Sequence, residues 1–404
     1  MNKHADQSAP GLCIAVVANT SWNLFNFRLN LIRALQAAGH TVAAVTPDDA
    51  YRQKLRAAGM EVHTIPLTIS GINPLAELRA VLRFRSVFKR NGIDLVLSYT
   101  PKGNLYAALA CLTLGVPFVP NVSGLGRAFI RRSPVTWAAL ALYRLTFRRA
   151  HHVFFQNFDD LDLFVKAGLV AASKAERLPG SGVDLTRFAP ATVTRKAVQD
   201  APVFLLVARM LLDKGVGEYV EAARIIKKRF PKAQFRLLGA LASGNPSAIP
   251  EQQVQSWVDE GLVTYLGGTE DVRPYLAEAD CVVLPSYREG VPRVLLEAAA
   301  TGLPLITTDA PGCRDAVRHG VTGLICKPRD AMDLARAMND FIALSDEQRA
   351  AMGRAGRAFV EENFDEQLVI DRYQQLVSDF AASRNAARLR GQAYPAPASG
   401  TTGA

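Results

Sequence analysis

No run of 18 apolar residues occurs in the 404-residue chain, so no helix is expected to span a bilayer. Cysteine is scarce. Cys13, Cys111, Cys281, Cys313 and Cys326 are scattered, odd in number and without CxxC spacing. That excludes a disulfide scaffold and a thiolate zinc site, and fits free thiols in a reducing compartment. The start, MNKHADQSAP, is polar, and the apolar run after it, LCIAVVA, is too short for a secretory leader. The expected location is therefore cytoplasmic. There is no GxGxxG, which weakens a nicotinamide-binding reading. The six histidines show no metal-ligand spacing, and the adjacent His151 and His152 are a weak signal. No RNA-binding motif appears, so no nucleic-acid partner is expected.

Acidic residues are also scarce, but only locally. The net charge is +10, and residues 11–185 hold 20 Lys and Arg against 10 Asp and Glu. From Glu77 to Arg149 the ratio is 12 to 2. A basic half implies an acidic partner, such as a phosphate-bearing substrate or an anionic membrane surface. Arg127, Arg131, Arg132, Arg144, Arg148 and Arg149 bracket Phe129, Ile130, Trp137, Leu140 and Tyr143. Cations beside aromatic and aliphatic residues suit a bilayer interface. Arg79, Arg83, Arg85, Lys89 and Arg90 in the helical stretch 75–90 could add to the same face. The competing reading is an ordinary core-facing helix with a solvated basic side.

What the chain has in quantity is apolar residues, 49%, laid out in short runs between helical patterns. The runs of the first half are 12–18, 41–46, 62–66, 95–98 and 153–156. Those of the second are 203–208, 234–239, 263–266, 281–285 and 305–308. Continuous apolar strands alternating with amphipathic helices predict α/β architecture with parallel sheets. The alternation restarts after a Pro-, Ala- and Thr-rich stretch at 189–201, which reads as a linker. Two doubly wound, Rossmann-like domains are expected, over 11–188 and 202–365. A C-terminal helix over 366–384 could cross back to the first. Residues 1–10 and 385–404 are expected to be disordered. Ligands of such sheets bind beyond the carboxyl ends of the strands, which places the expected site in a cleft between the domains.

The strand ends carry the chemistry. The run at 281–285 leads into SYREGVPRVLLE, where Glu289 sits on a loop and Glu297 lies inside the helix that follows. Free amides at a helix start bind anions, and a carboxylate one or two turns in can accept hydrogen bonds from sugar hydroxyls. After the run at 203–208 comes ARMLLDKGV, with Arg209 and Lys214 around a loop. Two cations there can neutralise a diphosphate as negative charge accumulates on it. After the first run comes ANTSWNLFNFR, in which Asn19, Thr20, Ser21, Trp22 and Asn23 offer a polar anion- or acceptor-binding loop. Each feature alone could be a solvated pair or a capped helix start; three at strand ends are less easily accidental.

These segments, with GTEDVRPYLAEADCVVLPSYREGVPRVLLEAAATGLPLITTD and GVTGLI, resemble the family 4 retaining glycosyltransferases of the GT-B fold. The likeness covers residues 11–380. NTSWNLFNFR, SYTPKGNLYAALA, NVSGLGRAF, FFQNFDDLDLF and LPGSGVDLTRF are similar to a subgroup of bacterial enzymes. That subgroup adds N-acetylhexosamine or related sugars to polyprenyl-diphosphate-linked saccharides. The resemblance implies that Arg209 and Lys214 hold the diphosphate of a UDP-sugar. It implies that Glu297 accepts the ribose hydroxyls and Glu289 contacts the transferred sugar. The amides of Gly290, Val291, Pro292, Arg293 and Val294 would cradle sugar and phosphate. Lys102, Ser123 and Gly124 fall in segments that would serve the acceptor or its phosphates. Front-face attack, with a donor phosphate oxygen taking the acceptor proton, needs no metal and no cofactor.

One position departs from the family: many relatives carry His where this chain has Ser123, so the hydrogen bond survives and the charge does not. Asp160-Leu161-Asp162 matches the DxD metal motif of a different fold, but Asn157 and the acidic first turn after it read better as a helix cap. Alternative functions are a GT-B nucleotide-sugar epimerase, a transferase to a soluble acceptor, and a nucleotide-sugar or polyanion binding protein without catalysis.

Overall fold

The computed structural model describes residues 11–67, 73–125, 134–190, 201–242 and 244–390. They divide into two compact units, one of 1–178 with 367–404 and one of 179–366.

The first unit is built on a parallel sheet of seven strands. In chain order these are β1 (Cys13–Val17), β2 (Thr41–Thr46), β3 (Glu61–Thr64), β4 (Leu95–Tyr99), β5 (Phe118–Val122), β6 (Val153–Phe155) and β7 (Ala175–Arg177). Their order across the sheet is β3-β2-β1-β4-β5-β6-β7, so the winding reverses between β1 and β4. Val16 of β1 lies between Ala44 of β2 and Leu97 of β4. Helices cover both faces, which is why β1, β2 and β4 are apolar on both sides. One face packs Leu31, Ile32 and Leu35 with Val369, Tyr373, Val377 and Phe380; the other packs Phe84, Phe88, Cys111, Phe147 and Phe164.

The second unit repeats the plan with β8 (Val203–Val207), β9 (Gln234–Leu238), β10 (Thr264–Tyr265), β11 (Cys281–Leu284), β12 (Leu305–Thr308) and β13 (Gly323–Cys326). Its order is β10-β9-β8-β11-β12-β13, and the reversal falls between β8 and β11.

The division between the units falls at Leu178, before the expected linker at 189–201. The reason is burial. Val183 donates its amide to the Phe364 carbonyl at 2.8 Å, and Val183 and Phe188 lie in a core cluster of the second unit. Arg357 clasps the same segment, reaching the carbonyls of Leu185, Phe188 and Ala300. Residues 191–200, within the expected linker, lie outside the described residues.

The last helix, Glu366–Leu389, extends beyond the expected end at 384. The Ala-Ala-Arg-Leu stretch after Asn385 favours helix, so the expected disordered tail begins too early. Residues 1–10 and 391–404, also expected to be disordered, lie outside the described residues.

Three strands escape the sequence pattern. In β5, Pro120 and Asn121 interrupt the apolar run, yet Pro120 pairs in register with Ser98. Asn121 is fully buried, and its amide donates to the Tyr373 hydroxyl at 3.1 Å. The edge strand β7 reads Ala-Glu-Arg and carries no apolar signal, while β13 opens on a glycine.

Candidate active site

The site is assembled where β8, β11 and β12 end, at the winding reversal of the second sheet. After β8 the chain passes through Arg209 and a 3₁₀ turn, Leu212–Lys214, to Gly215, which opens the helix Val216–Lys227. Gly215 has φ +72°, and a Cβ there would lie 2.1 Å from the Pro285 carbonyl oxygen. Only glycine satisfies both the left-handed backbone and the contact. The loop after β11 is thereby held against the loop after β8. The Asp213 carbonyl accepts from the Tyr287 amide at 3.0 Å and from the Ser286 hydroxyl at 3.1 Å.

The loop after β12 supports the same segment from another side. The Glu289 amide donates to the Pro311 carbonyl at 2.9 Å. Gly312, φ +79°, approaches so closely that a Cβ would lie 2.2 Å from the Gly290 oxygen. The Glu289–Pro292 loop is therefore fixed by backbone contacts before any ligand arrives.

Lys214 and Glu289 form an ion pair, both side chains mostly buried. Glu297 pairs with Arg293 one turn earlier on the helix Arg293–Ala300, Nε to Oε1 at 2.8 Å. Burial raises the pKa of the Glu297 carboxyl. The positive charges of Arg293 and, more weakly, Arg187 oppose the rise, and Asp271 adds to it. Pro292 sits at the N-cap of this helix. Having no N–H and no side-chain oxygen, it can neither join the expected amide cradle nor cap the turn. The cradle is thus narrower than the sequence suggests. Arg209 is exposed and, among the described residues, its side chain makes no hydrogen bond or ion pair. Val291 packs against Gly180, and Val294 belongs to the periphery of a core cluster.

Sequence reasoning missed several neighbours. Tyr287 donates its hydroxyl to Glu218 at 2.5 Å, and the Arg329 guanidinium stacks over its ring at 4.7 Å. The Cys313 thiol is fully buried beside Lys214 and Glu289; burial, and then the Glu289 charge, push it up to about 12. A thiol so shifted is no nucleophile at neutral pH. Nothing in the sequence pattern marks these residues.

The expected acceptor residues lie in the first unit, at the ends of β1, β4 and β5. Ser21 is fully buried, its hydroxyl 2.8 Å from that of Thr46 and its amide donating to Asp49. It braces the loop and offers no hydroxyl to a ligand. Trp22 is exposed, while the Asn23 amide is capped by the Thr20 hydroxyl at 3.1 Å. Lys102 pairs with Glu77 at 2.7 Å. Ser123 and Gly124 are half-buried directly after β5.

The DxD segment is a helix start: Asn157 accepts from the Asp160 amide at 2.8 Å, and Asp162 pairs with Lys166. Tyr143, expected at an interface, is buried against Phe147 and Phe164. Trp137 and Arg144, Arg148 and Arg149 are exposed, and Leu140 is half-buried. Arg127, Phe129, Ile130, Arg131 and Arg132 lie outside the described residues.

The two doubly wound units each match a model of sugar-transferring enzymes. A family model described as "Glycosyl transferases group 1" matches residues 193–359, and one described as "Glycosyl transferase 4-like domain" matches 27–180. The chain belongs to the glycosyltransferases of the GT-B fold.

Among its relatives is the N,N'-diacetylbacillosaminyl-diphospho-undecaprenol alpha-1,3-N-acetylgalactosaminyltransferase of Campylobacter jejuni. The two are 29% identical over 377 residues, 90% of this chain and 97% of the other. The UDP-Gal:alpha-D-GlcNAc-diphosphoundecaprenol alpha-1,3-galactosyltransferase of Escherichia coli is 25% identical over 68% of this chain and 73% of its own. In fold, the chain is similar to the crystal structure of Anabaena Alr3699/HepE in complex with UDP-glucose. The TM-score is 0.75 at 19% identity, over 91% of this chain and all of that one.

Proposed function

We propose that the protein transfers a sugar, an N-acetylhexosamine or a close relative, from a UDP-sugar to a polyprenyl-diphosphate-linked saccharide, with retention of configuration. The observation that carries this is the placement of Lys214 with Glu289 on backbone-locked loops, and of Arg293 with Glu297 on the helix that follows, at the winding reversal of the second sheet. Two relatives whose names specify diphospho-undecaprenol-linked sugars support the acceptor class.

In this reading Lys214 and Arg209 neutralise the donor diphosphate, whose charge grows as the glycosidic bond breaks. That role needs no metal. Glu297 accepts the ribose hydroxyls, and Glu289 turns from Lys214 to the hydroxyls of the transferred sugar. In the same reading a donor phosphate oxygen takes the acceptor proton during front-face attack.

The test is UDP release. Release that requires a lipid-linked diphosphate acceptor supports the reading. Conversion of the UDP-sugar without acceptor indicates an epimerase, and equal turnover on soluble saccharides indicates a soluble acceptor. Binding of UDP without turnover on any acceptor leaves only a binding protein.

The same reading places the enzyme at the inner face of the cytoplasmic membrane. No helix among the described residues is long and apolar enough to cross a membrane. The helix Pro74–Arg90 instead buries Ala80, Phe84, Val87 and Phe88 and exposes Leu75, Leu78 and Leu82. Arg79, Arg83, Arg85, Lys89 and Arg90 are exposed around those leucines, while its one acid, Glu77, is half-buried against Lys102. Leucines ringed by cations suit an anionic interface. Sedimentation with phosphatidylglycerol vesicles should show binding that weakens at high salt. Leu78→Glu with Leu82→Glu should reduce it at least tenfold, since each buried leucine contributes roughly 1.5–3 kcal/mol. Unchanged sedimentation of that double variant removes this helix as the contact.

A further inference from the structure

Arg28 lies between the helices Ser21–Phe27 and Leu29–Ala37 of the first unit and is 3% exposed. Its guanidinium stacks on the ring of Tyr99, 4.1 Å from the centroid. Its Nε is buried without a partner, and among the described residues the guanidinium makes no hydrogen bond or ion pair. The Tyr99 ring also packs against Tyr373, a neutral phenol whose hydroxyl accepts from Asn121. A guanidinium stays charged whatever its surroundings. Burying that charge without a carboxylate is costly, and a π face offsets only part of the cost. An anion arriving from outside would satisfy such a charge.

Its position says where the anion sits. Tyr99 is the last residue of β4, and β4 lies beside β1 where the winding of the first sheet reverses. Ligands of open α/β sheets bind beyond the carboxyl ends at such a reversal. The next residue, Thr100, has φ +68°, a strained conformation for a branched side chain. It leads into the 14-residue helix Pro101–Leu114, whose first turn receives no side-chain cap. Lys102 stands in that turn, paired with Glu77. An immobilised arginine fork, an uncapped helix start and a lysine thus converge on one end of the sheet, in the unit without the donor-site pairs.

We propose that Arg28 binds a phosphate oxygen of the acceptor's diphosphate. This rests on the acceptor class given above. Arg28 is then a binding residue for the acceptor, and it reads the phosphates, not the sugar. Stacking on Tyr99 sets the plane of the fork before the acceptor arrives.

The test compares two acceptors carrying the same sugar, one on a polyprenyl diphosphate and one on an uncharged alkyl chain. Arg28→Gln should raise KM for the diphosphate acceptor by about 10- to 100-fold, the worth of a charge-assisted hydrogen bond. KM for the uncharged acceptor and for the donor should not move. Arg28→Lys keeps the charge and loses the planar fork, so its KM should fall between. It also decides the matter if Arg28→Gln does not fold, because its KM change must then be confined to the diphosphate acceptor. A KM rise shared by both acceptors, or no change with the diphosphate acceptor, overturns the proposal. Equal use of both acceptors by the unaltered enzyme overturns the acceptor class itself, which is a separate result.

Discussion

Replacing Lys214 with alanine should lower kcat/KM for sugar transfer by about 10²- to 10³-fold, the usual effect of deleting one preorganised charge at a transition state. The loss should be larger than solvent-exposed lysines give, because Lys214 is mostly buried and its carrier loop is fixed. Gly215 and the Asp213 carbonyl hold that loop against the Pro285–Tyr287 segment, so the side chain has little freedom to reposition. The variant also strips Glu289 of its countercharge, leaving a buried carboxylate facing an incoming diphosphate. A double variant, Lys214→Ala with Glu289→Gln, should therefore regain donor affinity relative to the single one without regaining kcat. Steady-state UDP release with saturating acceptor separates the two effects. Turnover unchanged in Lys214→Ala would sink the site assignment.

The second large effect is expected at Glu297. Glu297→Ala should raise the donor KM about 10- to 100-fold, since hydrogen bonds to a charged group contribute roughly 1.5–3 kcal/mol, with a smaller change in kcat. Its pH dependence tests the pairing with Arg293. Burial holds the Glu297 carboxyl above the ordinary carboxylate range, and Arg293 is the main charge opposing that. The other charges acting on it are Arg187, which helps Arg293, and Asp271, which opposes it. A raised carboxyl pKa means the useful anion is lost as pH falls through the folded-state value. Removing Arg293 raises that value further. Arg293→Met should thus shift the acid limb of kcat/KM for the donor to higher pH, and Arg293→Lys should largely restore it. An acid limb that stays in place in Arg293→Met would show that Glu297 does not titrate in that range or does not serve the donor.

Much of this was legible in the chain because parallel strands buried on both faces leave unbroken apolar runs. β2 and β12 match their runs residue for residue. β5 was hidden because Pro120 and Asn121 break its run, and only the tertiary partners Tyr373 and Gln156 make a buried asparagine tolerable there. β7 was hidden because a polar edge strand has no period to read. At the site, the spacing of Glu289 and Glu297 and the loop bearing Lys214 could be read from residue type. Their pairing could not: Lys214 and Glu289 lie 75 residues apart, and only the β8–β11 adjacency brings them together. Arg28 gave no signal because its meaning lies in what does not surround it.

The last helix has a consequence for the order in which the protein is made. Tyr373, Val377 and Phe380 complete one face of the first sheet, yet they are made after every strand of the second unit. During synthesis the second unit has all its strands while the first still shows water a bare apolar face, with Leu31, Ile32 and Leu35 lacking their partners. The core of the first unit therefore cannot be completed until the second unit has been synthesised. Truncation near residue 370 would thus leave the strands of the second unit whole and remove part of the core of the first.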